Sequence, residues 1–591
     1  MTSRTMVLGF AVLLVGVAAV PAAAAQPTAD THTTATTQGV TAVQSAVEGC
    51  AATPPADYAD PGADSSSVVG WVEGYWYNEP VDIVFDDGLN ETELRTLSAR
   101  TAARFEALRC LTVQDGLPPV EVIDREEFAD DRSQRAASVG EETRLVQNAR
   151  FETTLTINSE TDSVDVEQND TAQRVGGFYD YISEEIVVIT DDTSSLPVDE
   201  AVLAEELGHA IQDQQFDIAR YDRTTVDRDK GILGLIEGDV GFVIDQYTEN
   251  CDTDVWNGGC FIEESGGEGG GAPANWGLYF EQFQPYSDGP SFVQGIKQEG
   301  GWEAVNALYE EPPTTALHTT YPDTYNEIQP RNLDVPDRST GAWERVSATP
   351  ETLGISTIAG MFAAPGAEQD TEGEVIGYRA MLNLEPDGGL NRFDPHDYSH
   401  PETEGWRGDE LYTYRNGDET ATVWATTWAS PEAAQPFLSG YRSLIDTRGG
   451  ERVDGTENTY SFDEDTDYDM VLSLVPDGDR VTVVTAPTVD ALSAVDQTLD
   501  PFAAANGTDP GAGNNTDGTG ESNETDNRTD ETDDTTVDDQ VNQTDSPNND
   551  TRPADDTRPA DDTGPGFGVG LAGVVVLLTA ALLAGRRARN G

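Results

Sequence analysis

Ala204-Glu205-Glu206-Leu207-Gly208-His209-Ala210 sets a carboxylate and an imidazole four positions apart, with a second carboxylate between them. On a helix, positions i and i+4 stand one above the other, so Glu205 and His209 can face one cation while Glu206 stands beside it. The pattern is that of His-Glu-x-x-His, in which two histidines hold zinc and the glutamate activates water, with Glu205 in place of the first histidine. Residues 198–217 read as a helix: Asp199 can cap it, Val202, Leu203, Leu207, Ala210, Ile211 and Gln214 mark one face, and no proline interrupts it. Gly208 is its one weak point. A second apolar-periodic segment, residues 229–247, carries Leu235-Ile236-Glu237-Gly238-Asp239, and Glu237 is the candidate third ligand.

Gly177-Phe178-Tyr179 and Ile186-Val187-Val188-Ile189 precede this helix, while Pro312-Pro313-Thr314-Thr315 and Tyr321-Pro322 follow the second one. With the helix pair, these stretches resemble the gluzincin branch of zinc peptidases. Together with the termini described below, residues 67–500 resemble haloarchaeal surface proteins with a zincin-like domain. The resemblance implies an α+β fold, metal ligation by Glu205, His209 and Glu237, and Glu206 as general base. It also implies a substrate aligned along residues 177–189, with His318 or Tyr321 stabilising the oxyanion. Trp276, Tyr279, Phe280, Phe283 and Tyr286 resemble the substrate-side helix of that branch, although an aromatic stripe belongs to a core more often than to a binding surface.

Glu205 is the departure. Zinc, the expected ion, accepts carboxylate oxygens at about 2.0–2.2 Å. Two glutamates and one histidine nevertheless make a harder, more anionic site that tolerates manganese or calcium, and the added charge makes a coordinated water less acidic. Three readings follow: an active metallopeptidase, a metal-binding but inactive domain, and a metal-free domain. In the last, Glu205 and Glu206 are solvated helix charges, His209 pairs with Glu237, and the fold serves as the scaffold of a non-catalytic envelope or adhesion protein.

The 591 residues include 109 acidic and 33 basic side chains, a formal charge of -76, and Lys230 and Lys297 are the only lysines. Such a chain repels itself in dilute buffer, whereas molar salt shortens the Debye length to about 3 Å, so the composition reads as halophilic. Nothing forms a basic patch, which excludes nucleic acid as a partner. Arg4, the apolar run 6–20 and the alanines 22–25 have the layout of a secretory signal cleaved near Ala25, with no cysteine after it for a lipoprotein anchor. The four cysteines are then extracellular, where disulfides persist. Asn257-Gly258-Gly259 can turn the chain back between Cys251 and Cys260, which leaves Cys50 for Cys110; neither spacing suits a zinc knuckle.

At the other end, residues 567–584 are just long enough to span a bilayer, and Arg586, Arg587 and Arg589 place their end in the cytoplasm. The preceding Gly564-Pro565-Gly566-Phe567 resembles the PGF-CTERM sorting signal, in which Pro565, Gly566 and Phe567 mark a tail that an archaeosortase replaces with lipid. The expected partners are therefore the membrane, the archaeosortase during processing, and cell-envelope or S-layer components. The expected location is the outer face of the cytoplasmic membrane, which a permanent membrane helix would leave unchanged.

The expected organisation is a signal peptide (1–25), a polar leader (26–66), the zincin-like domain (67–350), a smaller α+β domain (351–505), a disordered Asp/Thr/Asn-rich stalk (506–563) and the sorting signal with its transmembrane helix (564–591). Sequons at Asn506, Asn514, Asn523, Asn527, Asn542 and Asn549 make the stalk a glycosylated one, and Asn90 and Asn169 are further sequons. Asn90-Glu91-Thr92-Glu93 also reads as a capping box, so a glycan and the cap compete there. Residues 266–271 read as a flexible lid or surface loop. In the second domain, strands at 411–414 and 420–427 flank a turn at Asn416-Gly417. A helix follows, capped by Ser430 with Pro431 at its first position, and then strands at 471–475 and 481–484. His396 and His400 lie between Pro395 and Pro401 and do not form a helical metal pair, and Arg407-Gly408-Asp409 reads as a turn.

Overall fold

Alternating burial along residues 185–190 sets the first layer: Val187 and Ile189 enter one core, Ile186 and Val188 another, as a strand buried on both faces requires. The computed structural model describes residues 50–502 except 63–66, 84–87, 192–197, 254, 263–271, 369–372, 387, 463–465 and 467. The signal peptide, stalk, sorting signal, stalk sequons and the 266–271 loop lie outside the described residues. No helix among those described is long and apolar enough to cross a membrane.

The first part runs β1 (Trp71–Val72), β2 (Tyr75–Trp76), α1 (Glu91–Arg109), β3 (Val120–Asp124), α2 (Arg125–Ser138), α3 (Glu141–Thr153), α4 (Ser163–Arg174), β4 (Gly177–Asp180), β5 (Glu185–Thr190), α5 (Glu200–Phe216), α6 (Val226–Asp252), α7 (Trp276–Leu308) and α8 (Ala316–Thr320). The second runs β6 (Glu344–Arg345), α9 (Gly354–Ala367), β7 (Trp406–Asn416), β8 (Glu419–Trp428), α10 (Ala434–Thr447), β9 (Glu451–Arg452), β10 (Thr459–Ser461), β11 (Val471–Asp477), β12 (Arg480–Ala486) and α11 (Val489–Val495). This mixture of helix and sheet is α+β.

The small sheet has the order β3-β5-β4, with β3 parallel and β4 antiparallel to β5, so β4 is an edge. Helices α1 and α5 cover one face and α2 and α7 the other. Gly208, the weak point of the α5 sequence, sits where an added Cβ would lie 2.5 Å from the Phe105 ring, so its missing side chain lets α1 and α5 approach. The capping box at Asn90 is formed: its side chain accepts the Thr92 and Glu93 amides, and Asn90 Nδ2 donates to Glu93 at 2.6 Å. A glycan on that nitrogen would displace the bond. Asn169 is exposed on α4.

Cys50 pairs with Cys110 and Cys251 with Cys260. The first bridge, the Ala52 amide on the Val69 carbonyl and the Tyr58 hydroxyl on the Asn78 carbonyl fasten residues 50–62 to the domain, so the stretch read as polar leader is structured from Cys50 to Gly62.

The large sheet is antiparallel throughout, in the order β6-β7-β8-β12-β11-β10-β9. Along β8, Trp424 packs with Phe437 and Tyr441 of α10, while Val423 and Ala425 face α11. The turn falls one residue later than expected, at Gly417-Asp418, because Asn416 still pairs with Glu419; Gly417 takes φ +64°. The α10 helix begins at Ala434, after a turn in which Ser430 accepts the Ala433 amide, rather than at Pro431. Arg407-Gly408-Asp409 is a strand with a bulge, not a turn. Asp409 is drawn inside because it accepts the Leu353 and Gly354 amides and the Trp406 and Trp424 indole N–H groups.

Burial pushes several carboxyls up: Glu106 to about 8, Glu167 and Asp227 to about 7, and Asp409 to about 6. In the unfolded chain these groups lose their protons near pH 4, so above that the folded state holds more protons than the unfolded one. Their contribution is complete below the unfolded values and is lost as pH rises through 6–8. Thermal unfolding in molar KCl is therefore expected at a higher temperature at pH 5.5 than at pH 8.5, with a smaller difference in Glu106→Gln. A melting temperature that rises with pH would contradict this assignment.

Candidate metal centre

Two helices deliver the cluster, and a third walls it. Asp199 caps α5 by accepting the Ala201 amide, and five residues into that helix Glu205 and His209 lie on one face. From α6 comes Glu237. The ligand atoms of Glu205, His209 and Glu237 all lie within 4.8 Å of one another. His209 Nε2 is 3.2 Å from Glu237 Oε2. Glu206 lies beside them under β4: a Cβ added to Gly177 would be 3.6 Å from Glu206 Cγ, and the Tyr179 amide faces its carboxylate without hydrogen-bond geometry. All four side chains are at most 2 % exposed.

Charge is the dominant fact here. Glu205 Oε2, both oxygens of Glu206 and Glu237 Oε1 find no hydrogen-bond donor among the described residues. Three buried carboxylates around one imidazole cannot all ionise without a cation. In the protein alone, burial pushes Glu205 up to about 8 and Glu206 well above its ordinary value, despite the pull of His209. Burial also pushes His209 down, but Glu237, by charge and hydrogen bond, and then Glu206 and Glu205 hold it at about 10. A divalent cation would let the acids ionise together. Two carboxylates and an imidazole are a donor set that zinc, manganese or iron accepts.

Tyr286 of α7 completes the wall. It hydrogen-bonds to Glu237, and burial followed by the charges of Glu237 and Glu205 pushes its phenol well above the ordinary value. The helix crossing explains its position: Gly238 of α6 lies against the Gly289 backbone of α7, one turn beyond Tyr286. The sequence placed Tyr286 only in an aromatic stripe, of which Tyr279, Phe280 and Phe283 are core. His318 and Tyr321, which the resemblance implies for the oxyanion, have other partners. His318 Nε2 donates to the Ile328 carbonyl while Nδ1 accepts the Thr314 amide, and Tyr321 meets Thr403. His396 is buried against Tyr279, and burial lowers it to about 4.

Residues 344–496 match a family described as Domain of unknown function (DUF8575). No curated protein and no solved structure matches the chain. The matched segment spans the large sheet and its helices from β6 to α11, and none of Glu205, Glu206, His209 and Glu237 falls within it.

A cavity of about 100 Å³ opens along the α6–α7 pair, lined by Arg150, Glu167, Arg223, Lys230 and Glu281 among others. Lys230 precedes Glu237 by two helical turns, about 10 Å. Arg223, a second lining residue, is held above its ordinary value against its burial by Asp229 first, and Glu237 adds to that pull.

Proposed function

We propose that this chain is an exported, membrane-anchored haloarchaeal surface protein whose zincin-like domain holds one divalent metal through Glu205, His209 and Glu237 and hydrolyses peptides with Glu206 as general base. One observation carries the reading: carboxylate oxygens with no donor converge on His209 inside a water-poor site, an arrangement that a cation relieves. The metal, when bound, supplies a Lewis acid that polarises a carbonyl and acidifies water. Glu206 stands beside the ligands with both oxygens unengaged and burial favouring its protonated form, the properties of a group that takes a proton and delivers it to a leaving amine. Tyr286, whose hydroxyl donates to Glu237, would serve developing negative charge on a substrate oxygen only by turning that donor away from Glu237.

A second reading, a non-catalytic scaffold, is favoured by the close His209–Glu237 contact, but Glu205 and Glu206 are buried and not the solvated helix charges that reading expects. Metal analysis of the purified chain in molar salt separates the two. About one equivalent of a divalent metal supports the site, and less than about one tenth supports the scaffold. Peptide-library hydrolysis then tests catalysis. Glu206→Gln is expected to lower the rate at least about 100-fold while keeping the metal, and equal rates would remove Glu206 as the base. Glu205→His is expected to tighten zinc binding.

A further inference from the structure

We propose that Gln212 and Tyr309 are positioning residues that commit His209 to metal ligation through Nε2; the inference rests on the metal reading above. Gln212 Nε2 donates to the Ile236 carbonyl at 2.9 Å and to the Tyr309 hydroxyl oxygen at 2.7 Å. Both amide hydrogens are used, and turning the amide over would set its oxygen against the Ile236 carbonyl. Gln212 Oε1 therefore faces His209 Nδ1, at 2.9 Å, as an acceptor. An acceptor there keeps a proton on Nδ1, so the proton that a cation displaces is the one on Nε2, on the Glu237 side, and Nε2 becomes the ligating nitrogen.

The chain of bonds continues with one polarity. Tyr309 donates its O–H to Asp239 Oδ2 at 2.7 Å, so its oxygen stays open to the Gln212 amide. Asp239 Oδ1 accepts Arg109 Nε at 2.6 Å, Arg109 reaches Asn306, and the guanidinium lies 4.2 Å from the Trp302 ring centre. Phe216 stacks on Tyr309 at 3.8 Å and fixes its ring. From His209 to Tyr309 every donor points toward Asp239, a buried anion held by Arg109. Hydrogen-bonding a ligating imidazole to such a chain orients the ring and raises the basicity of its other nitrogen. The helix α6 supplies Glu237 as well as the Ile236 carbonyl and Asp239, so the ligand and the positioning chain share one rigid support.

The test titrates the full-length chain with zinc in molar KCl against a competing chelator. Gln212→Leu is expected to weaken zinc binding by roughly 10- to 100-fold. Tyr309→Phe, which keeps the ring stack and removes only the hydroxyl, is expected to weaken it less and in the same direction. The visible spectrum of the cobalt(II)-loaded protein is expected to change in both variants. It should stay unchanged in Gln214→Leu, a change on the same helix that loses the bonds to the Gly116 carbonyl and the Gln114 amide without touching His209. If Gln212→Leu fails to fold, Tyr309→Phe decides alone. Wild-type zinc binding with equal affinity and spectrum in the variants overturns this inference and leaves the metal reading standing, whereas a wild-type chain that takes up no zinc overturns both.

Discussion

Glu200→Ala is expected to cost about 3–5 kcal/mol of folding stability, the range for breaking a buried ion pair from one side. Glu200 is the first residue of α5, and its carboxylate receives Arg100 at 2.9 Å, Arg104 at 2.7 Å, the Tyr247 hydroxyl at 2.6 Å and the Phe261 amide at 2.8 Å. All three charged side chains are fully buried. Burial pushes the Glu200 carboxyl up, but Arg104, Arg100 and Tyr247 more than offset this and hold it below the ordinary value. Removing it leaves two neighbouring guanidiniums with no counter-charge, and Arg100 Nε and Nη1 already have no acceptor. Guanidinium chloride is itself a salt, so urea unfolding at fixed molar KCl is the cleaner measurement. A loss below about 1 kcal/mol would mean that desolvation of the cluster consumes its attraction.

Gly238→Ala is expected to destabilise the protein by about 1–3 kcal/mol and to weaken zinc binding by at least about tenfold. An alanine Cβ would lie 2.4 Å from the Gly289 carbonyl carbon and 2.5 Å from its oxygen, both main-chain atoms that no rotamer change can move. Gly289 is equally confined, its own Cβ position falling 2.5 Å from the Gly234 carbonyl oxygen. The two helices must therefore part, and that motion carries Tyr286 away from Glu237. Differential scanning calorimetry and the zinc titration would be read on the same preparation. Unchanged affinity in a destabilised variant would show that the crossing supports the fold and not the site.

Local spacing explains what could be read from the sequence alone. The face shared by Glu205 and His209, the Asp199 cap and the Asn90 capping box each depend on residues within a few positions of one another, and each is seen; the hairpin turn, read from Asn416-Gly417, falls one residue later. Glu237 was reachable because α6 has its own apolar period and carries few acids near its middle. Tyr286 was not singled out, since Phe283 and Phe280 on the same helix are core and periodicity does not tell a wall of a site from its neighbours. Gln212 offered a faint signal, lying three residues beyond His209 on one helix face. Tyr309 offered none: it lies 97 positions from Gln212, and only tertiary packing unites them. The Arg407-Gly408-Asp409 turn failed for a related reason. Glycine next to charged residues looks solvent-loving, yet distant amides and indoles supply donors enough to bury Asp409.

One apolar core includes Phe178 and Tyr279 from the part that carries the candidate metal centre together with Trp424 and Phe437 from the segment that matches the family of unknown function. Thr153 and Thr422 share a hydrogen bond across the same boundary, and the Tyr441 hydroxyl donates to the Thr153 carbonyl. Residues 344–496 cannot be transplanted as a self-sufficient cassette: excised, they would carry a raw greasy flank where Gly360 now lies against the Gly277 backbone.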